Sequence, residues 1–484
     1  MRPFEFVALA TTTLSFLTLA LPRLRGMRPV SHMPPVALLA AVAQVVVEGA
    51  RWQLFPVYAL ALSFFLVWLW GRRLRGLLGV GPRVGLGVLG LLVALPPPVA
   101  LPVFTFPEPT GPYGVGTVTY HWTDTSRQET FSADPAARRE LMTQVWYPAA
   151  RSSGGERAPY TEGVEALAPA LARMIDLPSF TFDHLRYVTT NARKSVPVSA
   201  GVHPVLVFLE GFNGFRQMNT FQVEELVSHG YVVVAVDHPY IAASVTFPDG
   251  RHVTGFGKNE LNALVQQSVS PARIAPTFQG RSYPEGIVPY LVRDVSFVLD
   301  RLTALNASDP EHLLTGKLDM RRVGAFGVSL GGIVAGEACR TETRLGACLV
   351  MDAPMPDDVV SPGLGRPVLW ITRDARTMRQ EKWNKVDIAQ HQTSMRTAFD
   401  NLKGDGYFVQ VPDMFHVNLT DVPSWSPLFP YLGVTGPADP GRVHEIVNAY
   451  STAFFDRHLR GSREPLLEGP SNRYPEVVLQ RRRP

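Results

Sequence analysis

Four long charge-free runs crowd into the first 108 residues of this chain and limit what that part can become. They lie between Glu5 and Arg23 (17 residues), Arg28 and Glu48 (19), Arg51 and Arg72 (20), and Arg83 and Glu108 (24). Each is near the roughly 20 residues that an apolar helix needs to cross a bilayer, so the sequence predicts a transmembrane region of about four spans over residues 1–108. A cleaved signal peptide is the alternative for the first run, but Glu5 precedes its apolar stretch and three further runs follow. The strongly apolar part of the second is Pro35 to Val47, and Pro96, Pro97 and Pro98 should end or kink the fourth. Arg23, Arg25 and Arg28 fall between runs one and two, and Arg72, Arg73, Arg75 and Arg83 between runs three and four. By the positive-inside rule those loops face the cytoplasm, which places both termini and everything after about residue 108 on the extracytoplasmic side. Trp52, Tyr58, Trp68 and Trp70 suit anchoring at a membrane interface.

The rest of the 484-residue chain has a different character. Residues 1–110 hold nine Arg, no Lys and three acids, leaving 37 bases against 39 acids in the remainder. A net −2 over the larger part offers no basic footprint for nucleic acid. The 2 cysteines, Cys339 and Cys348, are too few for a disulfide framework or a four-thiolate zinc site, and the sequence leaves open whether they pair.

From residue 109 to about 460, short β-branched runs alternate with longer amphipathic ones, the pattern of an α/β domain with a mostly parallel sheet. Core strands are expected at 205–209, 232–236, 323–328, 347–351, 368–372 and 408–411. An antiparallel hairpin, 115–121 with 141–146, is expected at the sheet's edge. Leu291, Val295, Val298 and Leu302 recur at helical spacing, as do Val443, Ile446, Val447, Tyr450 and Phe454. Residues 461–484 are expected to form a loosely held tail.

Chemistry concentrates at Gly327-Val328-Ser329-Leu330-Gly331, which leaves an expected strand and enters a small-residue stretch that can start a helix. This is the strand, turn, helix setting of a nucleophile elbow, in which the serine occupies a strained turn and bulky neighbours two positions away would collide with it. Serine needs a base, and the base a carboxylate, in the chain order Ser, acid, His. His416, in the loop after the last expected core strand, is the candidate base. Asp352 and Asp374 each end a strand and both qualify as the acid, while Asp413 and Asp421 suit turn or capping roles. Backbone donors for an oxyanion are expected from Leu330, after the nucleophile, and from Phe212, in the glycine-containing loop Leu209 to Arg216.

These residues resemble the plasma-type (isoform II) platelet-activating factor acetylhydrolases and their bacterial serine-esterase relatives. The resemblance covers roughly residues 111–460. It rests on the opening Gly111-Pro112-Tyr113-Gly114-Val115-Gly116, Trp146-Tyr147-Pro148, Gly211 to Arg216 with Gly230-Tyr231-Val232-Val233, the elbow Gly327 to Gly332, and Asp352-Ala353. It implies the α/β-hydrolase fold, no cofactor or metal, and cleavage of short acyl groups from phospholipids and related esters. It also implies that the aspartate of the Asp-Ala pair, Asp352, is the triad acid rather than Asp374. One departure stands out: the family usually has His-Gly at the oxyanion loop, and here it is Glu210-Gly211. An ionised carboxylate there would repel a developing oxyanion, so Glu210 is expected to be protonated or hydrogen-bonded and to hold the loop.

The expectation is therefore a multi-pass membrane serine esterase with Ser329, Asp352 and His416 as the triad and Phe212 and Leu330 amides as oxyanion donors. Its partners would be a small-molecule or lipid ester and the bilayer; the oligomeric state is not legible. Alternatives are a lipase or cutinase-like polyester hydrolase and, because of Glu210, a catalytically silent membrane-attached binding module. A transporter is disfavoured because the expected spans carry no interior charges. The apolar segments Pro178 to Phe182 and Trp425 to Tyr431 are expected to rim the pocket as an acyl groove or membrane-facing lip.

Overall fold

The computed structural model describes residues 1–21, 30–74 and 80–483 and divides into two compact units. One comprises Met1–Phe104 with Phe180–Val188 and Ser424–Leu428; the other comprises Thr105–Ser179, Thr189–Pro423 and Phe429–Pro484.

The first unit is helical: α1 (Pro3–Ala20), α2 (Met33–Glu48), α3 (Phe55–Leu74), α4 (Val80–Ala94) and the single turn α5 (Pro96–Ala100). The expectation of four spans is corrected: among the described residues two helices are long and apolar enough to cross a membrane, Pro3–Ala20 and Trp52–Trp70. The other two fall short for local reasons. Helix α2 ends at Gly49, whose φ of 80° breaks it after 16 residues, or about 24 Å at the α-helical rise, against a hydrocarbon core of about 30 Å. Helix α4 stops before the triple proline, whose rings cannot continue it. Of the arginines that set the expected orientation, Arg23, Arg25, Arg28 and Arg75 lie outside the described residues. The carboxylate of Glu5 is buried against Arg51 (2.7 Å), whose guanidinium also donates to the Leu101 carbonyl (2.7 Å). Of the apolar segments expected to rim the pocket, residues 180–182 and 425–428 fall in this unit, and residues 178–179 and 429–431 in the other. The Trp52 indole donates to the Thr181 carbonyl (3.3 Å), and Phe182 packs edge-on against Trp425 (5.5 Å between centroids).

The second unit is built on one mixed sheet. Its strands are β1 (Gly114–Gln128), β2 (Arg138–Ala149), β3 (Arg157–Pro159), β4 (Thr189–Lys194), β5 (His203–Leu209), β6 (Val232–Asp237), β7 (Leu318–Val328), β8 (Leu345–Met351), β9 (Val368–Thr372), β10 (Gly406–Gln410) and β11 (Val478–Arg482). They run in the order β11-β10-β9-β8-β7-β5-β6-β2-β1-β4-β3. The block from β6 to β10 is parallel, and β1, β2 and β11 run antiparallel to their neighbours β2, β6 and β10.

Helices cover both faces, which is why the central strands are continuously apolar rather than alternating. Along β5, Val205, Val207 and Leu209 pack into one core with Leu291, Val295, Val298 and Leu302 of α9 (Val288–Ala307, following α6 Val164–Arg173, α7 Thr220–Ser228 and α8 Lys258–Val269). Leu206 and Phe208 point the other way, into a core with Val443, Ile446, Val447 and Tyr450. The hairpin β1–β2 forms as expected, but β3 and β4 lie beyond it, so it is not the outermost pair. Residues 461–484 do not trail off: Leu467 and Tyr474 are buried and β11 closes one edge of the sheet. Its two apolar residues, Val478 and Leu479, are too short a run to stand out without knowing that β10 leaves an edge to pair.

Candidate active site

Strand β5 is flanked by β6 on one side and β7 on the other, so the loops leaving β5 and β7 open toward each other at the carboxyl edge of the sheet. Such a switch point is where open α/β sheets hold ligands. The loop after β7 is the elbow, where Ser329 takes φ 58° and ψ −124°, an unusual conformation for a residue with a Cβ. The turn is tight enough that a Cβ on Gly327 would strike the Gly331 backbone, and one on Gly331 would strike the Leu209 carbonyl. The glycines are steric requirements of presenting Ser329 at the start of helix α10 (Leu330–Thr341), where the first amides have no intrahelical acceptor. A disulfide joins Cys339 of α10 to Cys348 of β8 (6.2 Å between Cα atoms). It ties the helix that follows Ser329 to the strand that ends at Asp352.

Asp352 is fully buried and meets three hydrogen-bonding groups and one ion-pair partner. His416 Nδ1 is 2.6 Å from Oδ2, Arg373 Nε 3.0 Å from Oδ2, His391 Nε2 3.2 Å from Oδ1, and the Thr372 hydroxyl donates to Oδ1 at 2.7 Å. Burial alone would raise this carboxyl's pKa, but Arg373, His391 and His416 together hold it well below the usual range. For His416, burial is the largest influence and lowers its pKa; Asp352 opposes this, and Arg373 and His391 add to it. The imidazole therefore rests neutral, with a fifth of its side chain exposed.

The other expected acid has a different occupation. Asp374 is the N-cap of the short helix α12 (Ala375–Gln380, after α11 Asp357–Val360), accepting from the Thr377 amide at 2.7 Å. Asp413 pairs with Arg376 (2.9 Å), and buried Asp421 accepts from the Thr220 and Phe221 amides at the start of α7 (2.8 and 3.1 Å). Both do the capping and turn work their positions suggested.

In the loop after β5, a Cβ on Gly211 would lie 3.3 Å from the Ser329 Cβ, so glycine lets the backbone approach Ser329. Gly214 N–H closes the loop on the Gly211 carbonyl (2.8 Å), and Asn213, at φ 55°, donates to the Ile241 carbonyl (3.0 Å). Glu210 turns away from the cleft. It accepts from the His238 backbone N–H (3.0 Å) and sits 2.8 Å from His238 Nδ1. Behind His238, Nε2 faces Asp294 (3.8 Å), which Arg139 holds at 2.6 Å. Burial opposes charge on His238, yet Glu210 and Asp294 raise its pKa overall.

Two adjoining clefts meet at Ser329, Phe212, Lys258, Asn259 and His416. The narrower, about 260 Å³, is lined further by Asn262, Ile333, Trp383 and His391; the wider, about 710 Å³, by Arg173, Met174, Asn213 and Phe256. Across the narrower one, Gln390 of α13 (Lys385–Asp400) donates to Gln266 of α8 (3.1 Å). Sequence reasoning missed Arg373, His391, His238, Asp294 and Arg139. Arg373 and His238 carry a usable signal, since each follows the C-terminal end of a core strand, but His391 lies mid-helix and nothing local marks it.

The family described as platelet-activating factor acetylhydrolase, isoform II, matches residues 101–267. The chain is 26% identical to a probable 1-alkyl-2-acetylglycerophosphocholine esterase of Arthroderma benhamiae, over 78% of this chain and 94% of that protein. It is 22% identical to a platelet-activating factor acetylhydrolase of Gallus gallus, over 57% and 67%. Among solved structures, a ferulic acid esterase from Streptomyces cinnamoneus aligns with TM-score 0.59 at 30% identity, over 77% of this chain and 98% of that one.

Proposed function

Because the chain belongs to the platelet-activating factor acetylhydrolase isoform II family and is an ester hydrolase, we propose that it works through a Ser329-His416-Asp352 triad. The observation that carries this reading is the 2.6 Å contact of His416 Nδ1 with buried Asp352, in a cleft that also holds Ser329. Neutral His416 takes the Ser329 proton at Nε2 as Oγ attacks the ester carbonyl carbon. The carbonyl oxygen becomes an oxyanion, met by the Leu330 and Phe212 amides. As the intermediate collapses, the bond to the alcohol oxygen breaks and His416 returns its proton to that oxygen. Water, deprotonated by His416, then attacks the acyl-serine; collapse releases the carboxylic acid and gives the proton back to Ser329. Asp352 fixes the imidazole tautomer and balances the transient imidazolium.

The substrate in this reading is a lipid-like or short-acyl phospholipid ester, preferred over small charged esters. Support comes from the alkylacetylglycerophosphocholine esterase of Arthroderma benhamiae and from two helices apolar enough to hold the enzyme at a bilayer. An extracytoplasmic catalytic unit fits the Cys339–Cys348 disulfide, since such bonds persist in oxidising compartments. A second reading, an aryl- or polyester-directed hydrolase, is favoured by the ferulic acid esterase and by the amide-lined narrow cleft.

The test is labelling of the full-length protein by a fluorophosphonate, with p-nitrophenyl acetate turnover measured alongside. Ser329→Ala should abolish both; equal labelling of that variant would reject Ser329 as nucleophile. Hydrolysis of a feruloyl ester faster than a short-chain phospholipid in vesicles would reject the lipid substrate and leave the aryl-directed reading.

A further inference from the structure

We propose that Arg373, enclosed between the carboxylates of Asp352 and Glu381, is a positioning residue that tunes the basicity of His416 and so sets how far into acid the enzyme works. The inference rests on the triad reading above. A carboxylate that only orients an imidazole needs one strong bond to it, yet Asp352 is engaged by four groups, two of them on Oδ2: His416 at 2.6 Å and Arg373 at 3.0 Å. The two compete directly for the same oxygen.

The arrangement follows from the sheet. In the β8–β9 pairing Met351 lies beside Ile371, so Asp352 and Arg373 leave the sheet at adjoining strand ends. Asp352 is held in place as its amide donates to the Ile371 carbonyl (2.9 Å) and it adopts φ 46°. Arg373 is buried completely, its guanidinium 4.6 Å from the centre of the Trp383 ring and ion-paired with Glu381 on its far side. The same indole packs against the His391 and His416 rings, at 5.5 and 5.9 Å between centroids. Glu381 also accepts from the His416 backbone N–H (3.3 Å), so it touches both the cation and the base.

The charged and titratable groups facing His416 are therefore Asp352 from the end of β8, Arg373 from the end of β9, Glu381 after α12 and His391 from α13. Lys258 and Asp387 line the narrower cleft with His416, and Arg173, Lys258 and Glu260 line the wider one. Asp352 and Glu381 favour the imidazolium, and Arg373 disfavours it. Because a guanidinium does not deprotonate in proteins, its contribution is constant across the working pH range. The result is a base that remains neutral in mildly acidic surroundings, in keeping with the downward direction of its pKa. His391, bonded to the other oxygen, keeps the carboxylate plane from swinging wholly toward Arg373.

The experiment is the pH dependence of kcat/KM for p-nitrophenyl acetate, measured on the full-length protein. The acid limb of this profile reports the base in the free enzyme. Arg373→Gln leaves two uncompensated carboxylates beside His416 and should move the limb to higher pH by about 1 unit. Glu381→Gln removes one of those carboxylates and should move it to lower pH, and Arg373→Lys should bring it back toward the wild-type position. A packing defect would lower the plateau without moving the limb in opposite directions. An unmoved limb in Glu381→Gln, or shifts of the same sign in Glu381→Gln and Arg373→Gln, overturns the proposal. Should Arg373→Gln fail to fold, the sign of the Glu381→Gln shift alone decides. Loss of all activity in Ser329→Ala with an unmoved limb would reject this inference and leave the triad intact, whereas retained activity in Ser329→Ala would reject the triad itself.

Discussion

Asp352 and Glu210 are both buried carboxylates that follow parallel strands of one sheet, and each meets a histidine Nδ1, at 2.6 Å and 2.8 Å. They differ in where the far side of the imidazole looks. His416 lines both clefts, with a fifth of its side chain exposed, whereas His238 is sealed and its Nε2 faces Asp294 at 3.8 Å. An acid-histidine pair is thus a candidate for proton transfer only when the second ring nitrogen reaches a cleft. When that nitrogen is instead sealed inside, facing a second carboxylate without bonding it, the same pair becomes a buried clamp. Here the clamp follows the strand before the oxyanion loop, where the family usually has His-Gly. His238 answers the difficulty raised by Glu210, because its backbone N–H and ring Nδ1 both engage the carboxylate, which turns away from the cleft.

The largest expected effect separates the proposed catalytic pair from its neighbours. Asp352→Asn should lower kcat by about 10⁴, since an asparagine favours the wrong imidazole tautomer. Asp374→Asn should change kcat by less than about threefold, because asparagine caps a helix about as well as aspartate. Steady-state kinetics on the two variants would show the reverse ranking if the acid had been assigned to the wrong strand end.

The clamp should respond in stability more than in chemistry. His238→Ala leaves Glu210 buried beside Asp294 without its cation, a change expected to cost about 3–5 kcal/mol in urea unfolding. Glu210→Gln keeps the shape and can still accept from the His238 amide, so it should retain kcat within about tenfold. A loss of 100-fold or more in that variant, with the fold intact by circular dichroism, would mean that the carboxylate itself acts in the reaction and the two pairs are not so different.

What was legible in the sequence follows the range of the interactions. The core strands and the two long helices could be read because burial on both faces leaves an unbroken local signature in the 205–209 and 323–328 runs. The turn at Ser329 could be read because the elbow's steric demands are satisfied within five residues, and the position of His416 because a loop after a strand end is a place rather than a contact. Arg373 could be read as a place after a strand end but not by its partner, and His391 could not be read at all: their meaning depends on β8 and β9 being neighbours and on a helix turning one face toward Asp352. The spans were overcounted because the absence of charge was read as length, while Gly49 and the triple proline shorten two of the helices. The tail was misread because β11 has a reason to form only once β10 presents an open edge.

A third buried carboxyl turns the comparison from geometry to pH. Glu224 on α7 accepts from the Ala192 amide (2.8 Å) and Asn191 Nδ2 (2.9 Å), and among the described residues no buried cation is paired with it as Arg373 is with Asp352. Burial dominates, its hydrogen bonds offset only part of it, and the pKa is pushed up to about 7. Asp421 nearby is raised as well, again chiefly by burial, with Glu224 adding to the shift. Between the ordinary glutamate value of 4.5 and about 7, the folded chain holds a proton on Glu224 that the unfolded chain has released. Its contribution is therefore complete below that window and is lost as pH rises through it. Asp352 has the opposite sign: its depressed pKa adds stability above the ordinary value of 3.8, lost only as pH falls through the folded value. Glu224→Gln removes one titration and leaves the other. Its unfolding free energy in urea, relative to wild type, should rise steadily from about pH 5 to about pH 7. A difference that stays constant over that interval would show that Glu224 ionises in the folded chain as freely as in the unfolded one, despite its burial.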